Sequence, residues 1–166
     1  MDIKDYISNF TNHPVLFVGT GISLRYLKNS FTWDSLLERI SYIVYQNEEV
    51  YLDIKAKCTK RNEGFDYPQI ASILENAFND KLQKERYGEF SFINDSYYQR
   101  IKEGKPISRF KLYLAYLFSD LAIKNSKKEE LDLLRQLSNN ISSIITTNYD
   151  RLLETISNFN PLVSND

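Results

Sequence analysis

Two short apolar runs stand out from a chain that is otherwise amphipathic. The first covers Val15–Val18 and stops abruptly at Gly19, and the second covers Ile141–Thr147. Both are rich in β-branched or aromatic residues and are followed at once by polar ones, which is typical of strands buried on both faces of a parallel sheet. The sequence therefore predicts two strands that lie far apart in the chain.

Between and around these runs, apolar residues recur at the spacing of amphipathic helices. The residues at 47–60 fit either a helix or an alternating strand, with helix favoured, and Lys84–Lys105 reads as polar and irregular. The predicted helices cover Asp2–Phe10, a segment capped by Thr32, Pro68 to Lys84, residues 106–125, Lys128–Leu137 and Asp150–Ser157.

The order of these elements predicts an α/β fold. Strand, several helices, strand and helix is the order of a Rossmann-like parallel sheet, and the helices are too many for one simple crossover. We expect them to form a large helical insertion at about residues 30–138 of a single domain, 1–166. Because two strands are too few for a complete open sheet, we also expect this domain to be incomplete at its C-terminus.

Composition excludes several classes of protein. The net charge of −1 over 166 residues provides no basic field for nucleic acid or an anionic membrane. A single cysteine, Cys58, cannot build a disulfide framework or a zinc ribbon. We therefore expect no metal. The sequence has no signal-peptide core and no apolar stretch that would cross a bilayer, so we expect a cytoplasmic protein.

The first candidate site is the segment LFVGTGIS, at residues 16–23. Gly19 and Gly21 would let a phosphate approach the backbone closely, and a helix that starts just beyond would offer free N–H groups. Thr20 lies between the two glycines, and Ser23 adds a hydroxyl. Since Leu24 stands where a dinucleotide fingerprint has its third glycine, a phosphate cradle and an ordinary strand-to-helix turn both remain open.

The second candidate site is the segment SIITTNYDRLLE, at residues 143–154. Ligands of open α/β sheets bind beyond the carboxyl ends of the strands, where Thr147, Asn148 and Asp150 would stand. An asparagine amide can both donate and accept, and an aspartate can accept from a hydroxyl or a carboxamide. The alternatives are a turn residue at Asn148 and a helix N-cap at Asp150.

Taken together, GTGIS and TTNYD resemble the paired motifs of the sirtuin-like family. That family binds NAD on a Rossmann-type sheet and carries a Gly-Ala-Gly-Ile-Ser turn and a Thr-Gln-Asn-Ile-Asp loop. Thr20 replaces the alanine, and Thr147 and Tyr149 also depart from the pattern. The stretches FTWDSLLERI and DYPQIASILE look like the bacterial branch of the family found in anti-phage defence proteins.

The resemblance implies a role for each matched position. Gly19, Thr20, Gly21 and Ser23 would cradle the NAD phosphates and the nearby ribose, with Thr147 also against the cofactor. Asn148 would orient the nicotinamide ribose or the attacking water, and Asp150 would hold the carboxamide.

Three departures from the family redirect the expected activity. The four-cysteine zinc module of sirtuin deacylases is absent, LRYLKNSFTW stands in place of their Gly-Ile-Pro-Asp-Phe-Arg extension, and no histidine follows Asn148. The chain's one histidine is His13, ahead of the first strand. The resemblance therefore implies NAD hydrolysis, rather than protein deacylation, by a longer parent protein, and we expect this chain alone to be weakly active or inactive.

Two other interpretations remain open. The chain could be a non-catalytic module that senses NAD or ADP-ribose or provides an assembly surface, or an unrelated helical α/β domain. The expected partners are NAD and either a second copy of the chain or a phage or defence protein, with neither nucleic acid nor a membrane among them.

Overall fold

The computed structural model describes residues 14–60, 64–120, 122–157 and 159–162. The helix predicted over Asp2–Phe10 lies outside these residues, as does His13. Contacts within the chain divide it into two compact units, Met1–Ser30 with Phe118–Asp166 and the intervening Phe31–Leu117. Residues 118–138, which the sequence analysis assigns to the helical insertion, thus belong to the same unit as the strands.

The first unit is a mixed α/β structure. Its elements are β1 (Val15–Val18), α1 (Gly21–Tyr26), a 3₁₀ turn (Asn125–Lys127) that leads into α7 (Lys128–Ser138), β4 (Ser143–Thr146) and α8 (Leu152–Ile156). The second unit carries α2 (Trp33–Tyr45), α3 (Glu49–Lys57), β2 (Thr59–Lys60), β3 (Gly64–Phe65), α4 (Tyr67–Lys84), α5 (Ser91–Lys102) and α6 (Arg109–Leu117).

The strands β1 and β4 pair in parallel, with Val15 opposite Ser143 and Val18 opposite Thr146. This pairing confirms the two predicted strands and their shared direction. It is a two-stranded sheet among the described residues, which is a smaller structure than a full Rossmann sheet.

Only one face of this sheet is covered among the described residues. Leu16, Val18 and Ile144 pack into a core that α1, α7 and α8 complete, with Leu152 fully buried. On the other face Val15 is 55% exposed, Phe17 71% and Ile145 53%. The expectation that both strands are buried on both faces is therefore wrong for this part of the chain, because the three helices all pack on the side of Leu16 and Val18.

The segment that follows α1 is tied to the segment that precedes α7. Leu27 and Ile123 form an isolated antiparallel bridge. Backbone hydrogen bonds join Lys28 N to Ala122 O and Lys124 N to Tyr26 O, each at 2.8 Å. These contacts explain why residues 118–138 group with the sheet.

The second unit is helical, and local signals define several of its ends. Thr32 caps α2 as predicted, since its side chain accepts from Ser35 N while Ser35 Oγ accepts from Thr32 N. The helix ends at Gln46, whose φ of 54° lies in the left-handed region. α4 carries Pro68 in its first turn, and Ile70, Leu74 and Phe78 along it are fully buried.

The structure corrects the interpretation of residues 84–105. They contain α5, a helix of 12 residues, rather than an irregular segment. Ile93 and Asn94 are its only buried residues, and Asn94 Nδ2 donates to Leu82 O at 2.9 Å. A helix that buries only one apolar and one polar residue has little apolar periodicity, so its sequence carries a weak helical signal. Among the described residues, no helix has the length and apolar character that crossing a membrane requires.

Candidate functional site

The loops that follow β1 and β4 lie at the same edge of the parallel sheet. Val18 and Thr146 are partners in the pairing, so Gly19 and Thr147 are the first residues beyond the carboxyl ends of the two strands. This is the arrangement that the sequence predicts for a shared site.

Asn148 joins the two loops. Its Nδ2 donates to Gly19 O at 3.2 Å and to Ser23 Oγ at 3.0 Å. Its backbone N donates to Thr146 Oγ1 at 3.1 Å, which sets the direction of the chain as it leaves β4. Because the Gly19 carbonyl can only accept, it fixes which side of the amide faces β1.

The other side of that amide has no partner. Asn148 Oδ1 is buried and accepts no hydrogen bond from the described residues. Buried acceptors in native proteins are nearly always paired, with protein, water or ligand. This oxygen is therefore an acceptor to which the described residues supply no donor.

Ser23 and Asp150 form the second link between the loops. Ser23 is 3% exposed, and its Oγ donates to Asp150 Oδ2 at 2.6 Å. Asp150 Oδ1 accepts from Leu152 N at 3.0 Å, at the start of α8. Asp150 is thus not the N-cap, which is Arg151, but one of its carboxylate oxygens accepts from the first residue of the helix while the other bonds to the loop after β1. Its role toward a ligand stays a prediction.

The glycines of the first loop leave open space. A Cβ added to Gly19 or to Gly21 would have no heavy atom within 4 Å. Neither residue has a positive φ, so the turn itself does not require glycine. What glycine leaves here is open space beside an exposed backbone, which is compatible with both a ligand cradle and a plain turn.

The remaining predicted positions lie at the surface of the same loops. Thr20 precedes α1 and is exposed, as is Thr147, whose side chain makes no hydrogen bond with the described residues. Tyr149 is 67% exposed, and its ring stacks on Phe118, with centroids 6.3 Å apart. Sequence reasoning left Phe118 out of the site, because no pattern links a residue at the end of one segment to a loop 31 positions later.

A charged cluster lies on α1 and α7 in the same unit. The Glu130 carboxylate accepts from Arg25 Nε, from Lys127 Nζ at 2.9 Å and from Tyr26 Oη at 3.1 Å. Chiefly through the hydrogen bond from Arg25, and next through Lys127, these donors lower the pKa of Glu130 to about 2. Burial is the main cause of the raised pKa of Tyr26, with the bond to Glu130 second.

Two further observations concern metal ligands and similarity to known proteins. In the described ranges, no three His, Cys, Asp or Glu side chains lie close enough together to hold a metal ion. Comparisons with protein-family models, with curated proteins and with solved structures find no match to the chain.

Proposed function

We propose that the edge of β1 and β4 binds NAD, and that the chain is a sirtuin-like domain of an NAD hydrolase that acts in anti-phage defence. The products would be nicotinamide and ADP-ribose. The finer description of the fold, a partial Rossmann-like sheet with a helical insertion, is part of the same proposal. Its sequence support is the resemblance of GTGIS and TTNYD to the sirtuin-like motifs.

The observation that carries the proposal is the position of Asn148. It contacts both Gly19 and Ser23, so residues from the two motifs meet through one side chain. If the two turns were unrelated to NAD, nothing would require the Asn148 amide to bond to both of them.

The residues at this edge fit the chemistry of NAD. The space beside Gly19 and Gly21 admits a phosphate close to the backbone. The unpaired Asn148 Oδ1 can accept from a ribose hydroxyl or a carboxamide N–H. Nicotinamide is a cationic leaving group in NAD itself, so the protein has mainly to position the ribose and stabilise the positive charge that develops on it.

Within that scheme each side chain has a limited role. Asn148 would orient a ribose hydroxyl or a water and takes no proton at neutral pH. Asp150 would hold a polar group of the ligand and stabilise positive charge on the sugar. Ser23 keeps Asp150 and Asn148 in position, because its Oγ bonds to both.

A second function, NAD or ADP-ribose sensing without catalysis, has one observation in its favour. Both carboxylate oxygens of Asp150 already accept hydrogen bonds from Ser23 Oγ and Leu152 N. A carboxylate held in this way is better placed to orient a ligand than to take a proton from a water.

Calorimetric titration of the purified chain with NAD and with ADP-ribose tests the proposal. We expect saturable binding of NAD and at least tenfold weaker binding to Asn148→Ala. Asn140→Ala, an exposed asparagine in the turn after α7, serves as the matched control and is expected to bind like the wild type. Absence of NAD binding to a folded wild-type chain, or equal binding to Asn148→Ala, would refute the site. Tight binding of ADP-ribose without any release of nicotinamide would favour the sensor.

A further inference from the structure

The second unit contains a buried arginine that pairs with no carboxylate of the described residues. Arg109, the first residue of α6, is 6% exposed, and its guanidinium lies 3.8 Å from the ring centroid of Tyr97. Nε donates to Asn94 Oδ1 at 2.7 Å and Nη2 donates to Tyr98 Oη at 3.3 Å. No Asp or Glu oxygen of the described residues lies within 4.0 Å of this group.

An anion would complete this arrangement. Arginine stays charged at every ordinary pH, and arginines are seldom fully buried without a partner. The aromatic faces and the amide oxygen stabilise the cation in part, but they are neutral. The bonds to Asn94 and Tyr98 use Nε and Nη2, and the Nη1 donors can serve a further acceptor.

Arg109 lines a groove that is large enough for a small molecule. The groove has a volume of about 530 Å³ and lies within the second unit. Ile101, Pro106 and Ile107 supply apolar lining, while Lys111 adds a second positive charge. Small-molecule sites are typically of this size and combine an apolar wall with a few polar groups.

Glu75 reduces the net positive charge at the groove, and so limits how negative a bound ligand can be. Its Oε1 accepts a hydrogen bond at 2.7 Å from Ser108 Oγ, and Ser108 lines the groove. One carboxylate bonded to a lining residue, against two cations in the lining, leaves a modest positive balance. Such a balance favours a ligand with a single anionic group over a polyanion.

We propose that this groove binds a small organic anion, whose carboxylate or phosphate pairs with Arg109 and whose apolar body lies against Ile101 and Ile107. The guanidinium offers a planar fork that matches both anions. Lys111 lies at the exposed side of the groove and attracts the anion through its charge. The proposal is independent of the NAD site, because it concerns other residues in the other unit.

Titration of the full chain, followed by amide NMR shifts, tests this site with four probes. Benzoate and phenyl phosphate carry the apolar ring with either anion, inorganic phosphate lacks the ring, and benzyl alcohol lacks the charge. We expect saturable shifts around Arg109 with benzoate or phenyl phosphate, and the stronger of the two identifies the preferred anion. Inorganic phosphate and benzyl alcohol are expected to bind at least fivefold more weakly.

Charge variants give the decisive comparison. Lys111→Glu alters an exposed residue of the groove and is expected to weaken binding at least fivefold. Lys84→Glu makes the same change at an exposed position on α4 that does not line the groove, and it is expected to bind like the wild type. Equal binding to the wild type and Lys111→Glu, or shifts that map away from Arg109, would overturn the proposal. So would the absence of saturable binding by both benzoate and phenyl phosphate.

Discussion

The hydroxyl of Ser23 donates to Asp150 across 2.6 Å, and these two residues are 127 positions apart in the chain. Ser23 is also the acceptor of one Asn148 N–H. Ser23→Ala would leave the Asp150 carboxylate and the Asn148 amide each with one bond fewer in a largely buried place. We expect a loss of about 1–3 kcal/mol in the free energy of unfolding, measured by urea titration.

Ser96→Ala is the matched control for that experiment. Ser96 is exposed on α5, and among the described residues its hydroxyl bonds only to Phe92 O of the same helix. Its replacement should change the free energy of unfolding by less than about 0.5 kcal/mol. Equal effects of the two substitutions would mean that the link from Ser23 to Asp150 contributes nothing to the first unit.

Gly21→Val tests the space at the end of β1. A Cβ at this position meets nothing within 4 Å, so we expect the variant to fold with an unchanged unfolding temperature. Its branched side chain would occupy the room proposed for the NAD phosphates, and calorimetry should show that NAD binding is lost. Gly88→Val, at an exposed glycine of the other unit, should bind NAD normally. Unchanged affinity in a folded Gly21→Val protein would reduce GTGIS to a plain turn.

Release of nicotinamide separates binding from catalysis. We expect the 166-residue chain to release nicotinamide slowly or not at all, because the side chains that meet at the site are an amide, a hydroxyl and a carboxylate with both oxygens engaged. Chromatography of the purified chain incubated with NAD would measure this directly. Robust turnover that survives Asn148→Ala would show that another residue carries the reaction.

The Glu130 cluster predicts a specific dependence of stability on pH. Arg25 and Lys127 lower the pKa of Glu130 from its ordinary value of 4.5 to about 2, so folding favours the carboxylate. The contribution of Glu130 to stability is complete above pH 4.5 and is lost as the pH falls toward 2. We expect Glu130→Gln to flatten the fall of the unfolding temperature over this range, and added salt to do the same for the wild type in part.

Glu129→Gln provides the comparison on the same helix. Glu129 is exposed on α7 and forms no ion pair with a described residue. Its replacement should leave the slope of stability against pH nearly as in the wild type. If the two glutamine variants gave the same slope, the ion pairs of Glu130 would not be the source of the acid sensitivity.

Gln46 offers a stabilising substitution. Its φ of 54° places a side chain in the left-handed region, which glycine occupies without the steric cost. Gln46→Gly is expected to raise the free energy of unfolding by about 0.5–1 kcal/mol, after subtraction of the greater freedom of glycine in the unfolded chain. Gln136→Gly, at an exposed position inside α7, should lower it by about 1 kcal/mol. A loss of stability at Gln46 would mean that the bond from its Nε2 to Ile43 O outweighs the strain.

Those parts of the fold that depend on local chemistry could be predicted. Val15–Val18, the cap at Thr32 and the early proline of α4 each have a signal within a few residues, and each lies where the sequence predicts. α5 was not predicted, because it buries only Ile93 and Asn94, and the bond from Asn94 Nδ2 to Leu82 O joins residues 12 positions apart. The exposure of the sheet face that carries Phe17 was not predicted either, since a short apolar run has the same sequence pattern whether one face of the strand or both are covered.

In the candidate site, likewise, the residue types could be predicted from local motifs but their contacts could not. The residue types at Gly19, Ser23 and Asn148 were apparent from two short motifs. Their mutual bonds depend on β1 and β4 being neighbours in register, which no local pattern specifies. The role of Gly19 O as an acceptor for Asn148 was invisible in the sequence for the same reason, since every residue carries a carbonyl.

The pairing of β1 with β4 governs how this protein folds during synthesis. Ser142 N and Ser142 Oγ both donate to Pro14 O over 128 positions, so closing the sheet costs about 4 kcal/mol of chain entropy before any strand contact compensates for it. At ordinary translation rates β1 leaves the ribosome roughly 6–25 s before β4 does. Throughout that interval Val15 and Phe17 belong to an unpaired strand, which is a template for association with other chains. Slower aggregation is therefore expected when a chaperone binds the nascent segment around β1 until residue 146 has emerged.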